Sequence, residues 1–287
     1  MDLLLQLAIN GIANGSHYAL LAIGFGLIFA TTGIVHFAYG PLYALSAYFV
    51  WMSVAWLGLP FIAALGVAVA GSAVVGLLAY LWLHRPFERN QSPAFVVMIV
   101  SLGLFIVVEN GIGIVFGTDT KVLEEVTYGI HFVGDAVISE LQIAQVVALV
   151  LIGGALALFL KLTNYGKAVR AMTDNPDMAA VIGIDTVRIS VLVFAIGSAI
   201  AAVPAVLVLI KDGATPAMGF SAVFVAFVAV IVGGLGSIRG AILGGLLLGM
   251  VENLGMWKIP TEWQSSIAFV VLFLVLLLRP NGLFKGQ

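Results

Sequence analysis

Polar residues are scarce in this chain, and three groups of them sit inside sequence that is otherwise apolar. The first group is in residues 31–44, TTGIVHFAYGPLYA, where Gly33, Gly40 and Pro41 interrupt a helical pattern around His36, Phe37 and Tyr39. Irregular backbone at membrane depth is tolerated only where protein or a water-filled cavity satisfies it. A half-helix starting there offers free N–H groups and a positive dipole end to an anionic group. The second group is in residues 232–245, VGGLGSIRGAILGG, with Gly233, Gly234 and Gly236 at its first turn. Paired Gly/Pro interruptions in the two halves of a chain point to a transport site. We therefore assign the border of a solute path to His36, Phe37 and Tyr39 with the backbone of Gly33, Gly40, Gly233, Gly234 and Gly236. A tight turn explains much of 232–240 equally well, and Gly244, Gly245 and Gly249 read as helix-crossing contacts. The third group is Glu109–Asn110 and Glu252–Asn253, each preceded by valine. A carboxylate within a span is either functional or snorkels to the outer interface, and the sequence leaves both readings open.

Several chemistries are missing. There is no phosphate-binding loop, no HExxH, no Gly-x-Ser-x-Gly and no cysteine, so no nucleotide, metal or acyl-enzyme site is expected, and the chain is not read as an enzyme. A TVGYG filter and an arginine ladder are also absent.

The most informative polar stretch is 163–185, TNYGKAVRAMTDNPDMAAVIGID. Asn175 before Pro176 predicts an N-cap with proline at the first helical position, and Asp177 falls where the helix dipole favours an anion. Gly183 can end that short helix with positive φ. Upstream, Val169 and Met172 share one face of a second short helix, and Lys167 and Arg170 share another. The prediction is two short helices and a sharp turn, with Met178, Val181 and Ile182 as apolar contacts flanked by Gly166 and Gly183. Such a pair either simply joins two spans at the membrane surface or inserts into a partner's groove.

The elements that must position these groups are transmembrane helices. Of 287 residues, 62% are hydrophobic and 9% charged, with a mean hydropathy of +1.17. A soluble domain carries about 25% charged residues, so lipid must be the solvent of this surface. A net charge of −2 gives no field that attracts nucleic acid. Runs long enough to span fall at 5–30, 40–57, 60–83, 94–116, 141–162, 187–210, 221–236, 240–257 and 264–279, which predicts an all-α polytopic protein. It is expected to form one domain over 1–287 with about eight or nine transmembrane helices, some broken or re-entrant. The first run lacks a basic flank and is interrupted by Asn10, Gly11 and Asn14, so it reads as a retained span. Pro204 is expected to kink its span, and Gly197 to Ala202 to form a small-residue packing face.

Arg85, Arg89, Lys161, Lys167, Arg170, Arg188, Arg239, Arg279 and Lys285 cluster between alternate spans and in the tail, leaving only Lys121, Lys211 and Lys258 on the opposite side. That bias places the first set, including 163–185 and the C-terminus, in the cytoplasm. The acidic, partly apolar segment 117–140 is then external, as a lid over helix ends, a docking surface, or both.

Over nearly its whole length the chain resembles the LivH-type permeases of branched-chain amino acid ABC transporters. The resemblance is carried by NGSHYALLAIGFGLIF (14–29), TGIVHFAYGPLYALSAY (32–48), the loop 163–185, VGGLGSIRGAILGGLLLG (232–249) and LRPNGLF (278–284). It implies a multi-pass permease of the bacterial inner membrane that translocates an amino acid by alternating access. It also implies a second, LivM-type permease, two cytoplasmic ATPases that bind ATP and Mg, and a periplasmic substrate-binding protein. Under it, Gly166, Lys167, Arg170, Met172, Asn175, Met178, Ala179, Ala180 and Gly183 belong to the element coupling the permease to its ATPase. Where the family usually has Asn and His, this chain has His36 and Tyr39, which leaves the substrate open, since relatives carry urea, short amides or other amino acids. The rival readings are a stand-alone secondary transporter using Glu109 or Glu252, and a passive channel for a small solute such as urea or a short amide.

Overall fold

The computed structural model describes residues 2–123, 128–133, 136–260, 263–279 and 282–284. Glu124, Glu125 and Asp135 of the acidic segment 117–140, and Lys285 of the basic set, lie outside them. The helices are α1 (Asp2–Thr32), α2 (Tyr39–Ala55), α3 (Phe61–Ala79), α4 (Arg85–Arg89), α5 (Ala94–Phe116), α6 (Glu140–Leu162), α7 (Asn164–Asp174), α8 (Pro176–Val181), α9 (Thr186–Asp212), α10 (Met218–Gly233), α11 (Ile238–Gly255) and α12 (Gln264–Leu278). A π-helical turn, Tyr80–His84, joins α3 to α4. The chain is an all-α polytopic membrane protein.

Each of the nine apolar runs falls on a helix. Six are long and apolar enough to cross a bilayer unaided: Leu3–Thr32, Phe61–Arg89, Ala94–Phe116, Glu140–Leu162, Thr186–Asp212 and Ile238–Gly255. The other three, α2, α10 and α12, are shorter, at 17, 16 and 15 residues. At about 1.5 Å per residue they fall below the length of a full crossing. The expected eight or nine spans thus correspond to six long helices and three short ones.

Segment 117–140 is not wholly irregular. Strands β1 (Ile130–Val133) and β2 (Ala136–Ser139) form an antiparallel hairpin. Gln6 of α1 holds it at both backbone groups of Val137, donating to its carbonyl at 3.0 Å and accepting from its N–H at 2.8 Å. Ser139 and Gln142 then form a reciprocal capping box that starts α6. Asn10, read as an interruption, accepts a hydrogen bond from Gln142 at 2.8 Å within a continuous helix.

The core is arranged around α1, whose residues from Ala19 to Ile28 are almost all buried. Helix α11 packs on it without intervening side chains. A methyl group at Gly249 would fall on the backbone of Gly15, and one at Gly245 would lie 2.5 Å from the Ala19 nitrogen. Across the bundle Gly197 of α9 meets Gly24 of α1, and Gly76 of α3 meets Ser198. The small-residue faces read from the sequence are therefore helix-crossing surfaces.

Replacing Gly249 by alanine is expected to lower thermal stability, measured as the midpoint for loss of monodisperse protein on heating in detergent, because overpacking costs about 1–3 kcal/mol. Gly103→Ala, at a position with open space around it, is expected to leave the midpoint unchanged or raise it slightly.

Candidate functional site

Two breaks in helical structure meet inside the bundle. After α1 ends, the chain turns at the exposed Gly33 (φ +68°) and re-enters as an irregular segment, 34–38, that is buried at Ile34, His36 and Ala38. Ser101 Oγ accepts from its Ala38 N–H at 3.1 Å, a protein partner of the kind membrane depth requires, and the next residue, Tyr39, is tied to α1 by donating from Oη to the Leu21 carbonyl at 3.2 Å. The second break follows α9. Gly213 (φ +82°) turns the chain back, Ala214 forms an isolated β-bridge with Lys121, and α10 begins at Met218. The first turns of α2 and α10 touch through the backbones of Gly40 and Gly219. The partner of break 33–38 is thus 213–217, not 232–240. The signal for it was present in Gly213, Pro216 and Gly219, three helix-disfavouring residues within seven positions.

Beside this junction lies a cavity of about 500 Å³. Helix α1 contributes His17, Tyr18 and Leu21, and α2 contributes Tyr43. Asp212 stands at the end of α9, while Met218, Phe220 and Ser221 form the first turn of α10. Glu252 comes from α11, and Gln264 and Phe269 from α12. Glu252 is 2% exposed and accepts a hydrogen bond from Tyr18 Oη at 2.7 Å. It therefore does not snorkel to an interface. Its neighbour Asn253 accepts from Asn14 at 3.3 Å and donates to the Gly249 carbonyl at 2.8 Å. Glu109, in the matching triplet, is only half-buried on α5 and borders no cavity described here, and Asn110 beside it bonds its own helix at the Ile106 carbonyl. Two identical triplets thus have different surroundings, because α11 faces α1 while α5 turns much of its surface outward. His17 and Tyr18, polar side chains on the first span, went unweighted in the sequence.

None of the eight residues assigned to the path lines this cavity. His36 is fully buried, its Nδ1 2.9 Å from His84 Nε2, and both rings pack on Phe194. The π-turn carries His84 to that position. Phe37 is half-buried against Phe227, Tyr39 packs on Phe25, and Gly40 is closed off by Gly219. Gly233 lies against Gly240, and Gly234 lies under Gly282 of the tail, whose following residues donate to the Val232 and Gly233 carbonyls. Gly236 (φ +86°) is exposed in the turn. The structure brings His36, Phe37, Tyr39 and Gly40 together behind the cavity wall, and Gly233, Gly234 and Gly236 in a turn elsewhere.

The loop 163–185 has the predicted form. Thr163 and Asn175 cap α7 and α8, the latter through Asn175 Oδ1 accepting from the Met178 N–H at 2.9 Å, and Gly183 follows with φ +90°. Val169, Met172 and Ala179 face inward, and Gly166 abuts the Phe159 carbonyl of α6. Lys167, Arg170, Asn175, Met178, Ala180, Val181, Ile182 and Gly183 are exposed. Met178, Val181 and Ile182, expected as buried-type contacts, are 57%, 81% and 67% exposed and form one outward apolar ridge.

Residues 7–276 match the family described as branched-chain amino acid transport system / permease component. The chain belongs to this family. It is 35% identical to the high-affinity branched-chain amino acid transport permease LivH of Escherichia coli, covering 97% of this chain and 94% of that one. It is 32% identical to BraD of Pseudomonas aeruginosa, covering 97% and 95%. A shorter stretch, 42% of the chain, is 30% identical to the xylose permease XylH of Haemophilus influenzae. Among solved structures, a chain of PsaBC from Streptococcus pneumoniae in complex with Fab superposes with a TM-score of 0.54 at 12% identity, over 95% of this chain and 91% of that one, and so shares the fold. In this family member the departure at position 36 has a local explanation, since the buried imidazole pairs with His84 and does not line the cavity.

His36→Leu strands the partner ring and is expected to destabilise the protein by about 1–3 kcal/mol. The double variant His36→Leu/His84→Leu should recover part of that loss. Thermal midpoints of the wild type, both single variants and the double variant form the cycle that measures the coupling.

Proposed function

We propose that the chain is one permease subunit of an ATP-driven importer, pairing with a second related permease, docking two cytoplasmic ATPases through α7 and α8, and receiving an amino acid from an external binding protein. Family membership over nearly the full length supports the branched-chain or related amino acid as cargo. The observation that carries the coupling assignment is the exposed ridge of Met178, Val181 and Ile182 on a short helix seated through Ala179. An apolar ridge on a well-packed element fits a groove in a partner protein. Gly166 holds α7 against the end of α6, and Asp185 caps α9 through the Arg188 N–H at 3.1 Å. Motion of the docked ATPases then reaches both long helices without loss in a flexible linker.

The lysine and arginine bias puts this loop, the 84–93 and 234–240 turns and the C-terminus in the cytoplasm of an inner-membrane protein. The cavity and the β-hairpin then belong to the periplasmic half. Of the eight residues first assigned to the path, His36, Phe37, Tyr39, Gly33 and Gly40 shape the α1–α2 break behind it, while Gly233, Gly234 and Gly236, away from it, let α10 turn into α11. Alternating access exchanges two packings of the helices around the cavity, and ATP binding by the partners biases that exchange.

Met178→Arg replaces an exposed ridge residue. It is expected to leave the permease folded while abolishing co-purification of ATPase subunits from the native membrane, read by mass spectrometry. Ala179→Arg, at a buried position, is expected to lower thermal stability as well. Full ATPase recovery with Met178→Arg would overturn the assignment of docking to this ridge, whereas transport in liposomes by this chain alone would overturn the importer assignment in favour of a secondary transporter or channel.

A further inference from the structure

We propose that the cavity between α1, α10, α11 and α12 binds its cargo as a zwitterion, with the carboxylate of Glu252 receiving the α-ammonium group and the first turn of α10 facing the cargo carboxylate. This rests on the importer reading and adds to it the residues that read the two charged ends.

Glu252 is an unusual wall residue. It is buried, and its side-chain partners are both neutral: the Tyr18 hydroxyl at Oε2 and the Gln264 amide. No lysine or arginine stands among the residues lining the cavity. The other acid, Asp212, sits at the rim with its neighbour Lys211 at 3.6 Å, and is 59% exposed. The interior of the cavity thus carries one carboxylate without a basic partner, a costly arrangement in low dielectric unless a cation arrives there. A ligand ammonium supplies that charge and three N–H donors.

Another part of the lining has the complementary polarity. Met218, Phe220 and Ser221, in the first turn of the 16-residue α10, line the same space. The positive end of that helix dipole borders a cavity that already holds a buried carboxylate, so the lining presents both signs. The remaining lining is apolar, including Leu21, Phe224 and Phe269. About 500 Å³ lies within the usual 300–1,000 Å³ range of small-molecule sites. The arrangement suits an α-amino acid with an apolar side chain. It rejects an uncharged solute such as urea, and it also rejects a carboxylate lacking an amine.

The Tyr18–Glu252 bond also ties α1 to α11, so a test must separate charge recognition from helix tethering. Glu252→Gln removes the charge but still accepts the Tyr18 hydrogen bond, whereas Tyr18→Phe removes the bond and keeps the charge. In the complete complex reconstituted with its binding protein, Glu252→Gln is expected to reduce leucine uptake about tenfold or more, the scale of a lost hydrogen bond to a charged group, with the yield of assembled complex on size-exclusion chromatography retained. Tyr18→Phe is expected to cost less. Wild-type uptake by Glu252→Gln, or a larger loss with Tyr18→Phe, would overturn the assignment and leave the pair as a tether.

A second measurement uses the absence of cysteine in this chain. Ser221→Cys, in the otherwise unaltered complex, places one thiol on the cavity wall, and its maleimide labelling can be followed by mass on this subunit. Leucine is expected to slow labelling, while 4-methylpentanoate, which lacks the ammonium, and 3-methylbutylamine, which lacks the carboxylate, are not. Equal protection by either analogue, or none by leucine, counts against the zwitterion site. This readout stands even if Glu252→Gln fails to assemble. Failure of the wild-type complex to import any amino acid would instead defeat the importer reading, a result distinguishable from both.

Discussion

Helix α11 lies against α1 with no room for a side chain between them, and the polar wall that these two helices give the cavity follows from that contact. Gly249 meets the backbone of Gly15, and Gly245 that of Ala19. In lipid there is no hydrophobic force to bring helices together, so close backbone packing and interhelical hydrogen bonds do so. The approach sets Tyr18 within hydrogen-bond reach of Glu252 and Asn14 within reach of Asn253. A larger residue at either glycine would separate those pairs and alter the wall of the cavity.

The same close packing allows non-helical backbone inside the bundle. Segment 34–38 gives up helical hydrogen bonds where lipid could not replace them, and Ser101, Tyr39 and the Gly40–Gly219 contact enclose it. The returning segment 213–217 is held at Ala214 by Lys121 through both backbone groups, each at 2.8 Å. Short helices α2 and α10 begin from these breaks, so the positive ends of two helix dipoles are brought together in the protein interior. A continuous pair of long helices would have presented only side chains there.

At the other end of the molecule the loop between α6 and α9 is stiffly built. Helices α7 and α8 have side-chain caps, glycine where α7 abuts α6, and buried Val169, Met172 and Ala179 beneath an exposed ridge. A short helix anchored on one face and bare and apolar on the other transmits displacement, because its inner contacts are close-packed.

Much of this was legible in the sequence for reasons of local chemistry. Composition alone requires a lipid solvent, apolar run lengths locate the helices, and Asn175–Pro176 with Gly183 specify α8, because capping depends on residues a few positions apart. Tertiary structure decided which polar groups share a space. His36 and Tyr39 looked functional beside their glycines, yet His84, 48 positions away, and Phe25 enclose them. Glu109 and Glu252 stand in identical triplets, and only the packing of α11 on α1 buries one of them against Tyr18, 234 positions away. The break opposite 33–38 proved to be 213–217, since what pairs two interruptions is contact between Gly40 and Gly219 and not symmetry of position in the chain. Local signals fix helices and their ends, whereas a site depends on side chains from distant helices whose relative rotation is set by how closely their backbones pack.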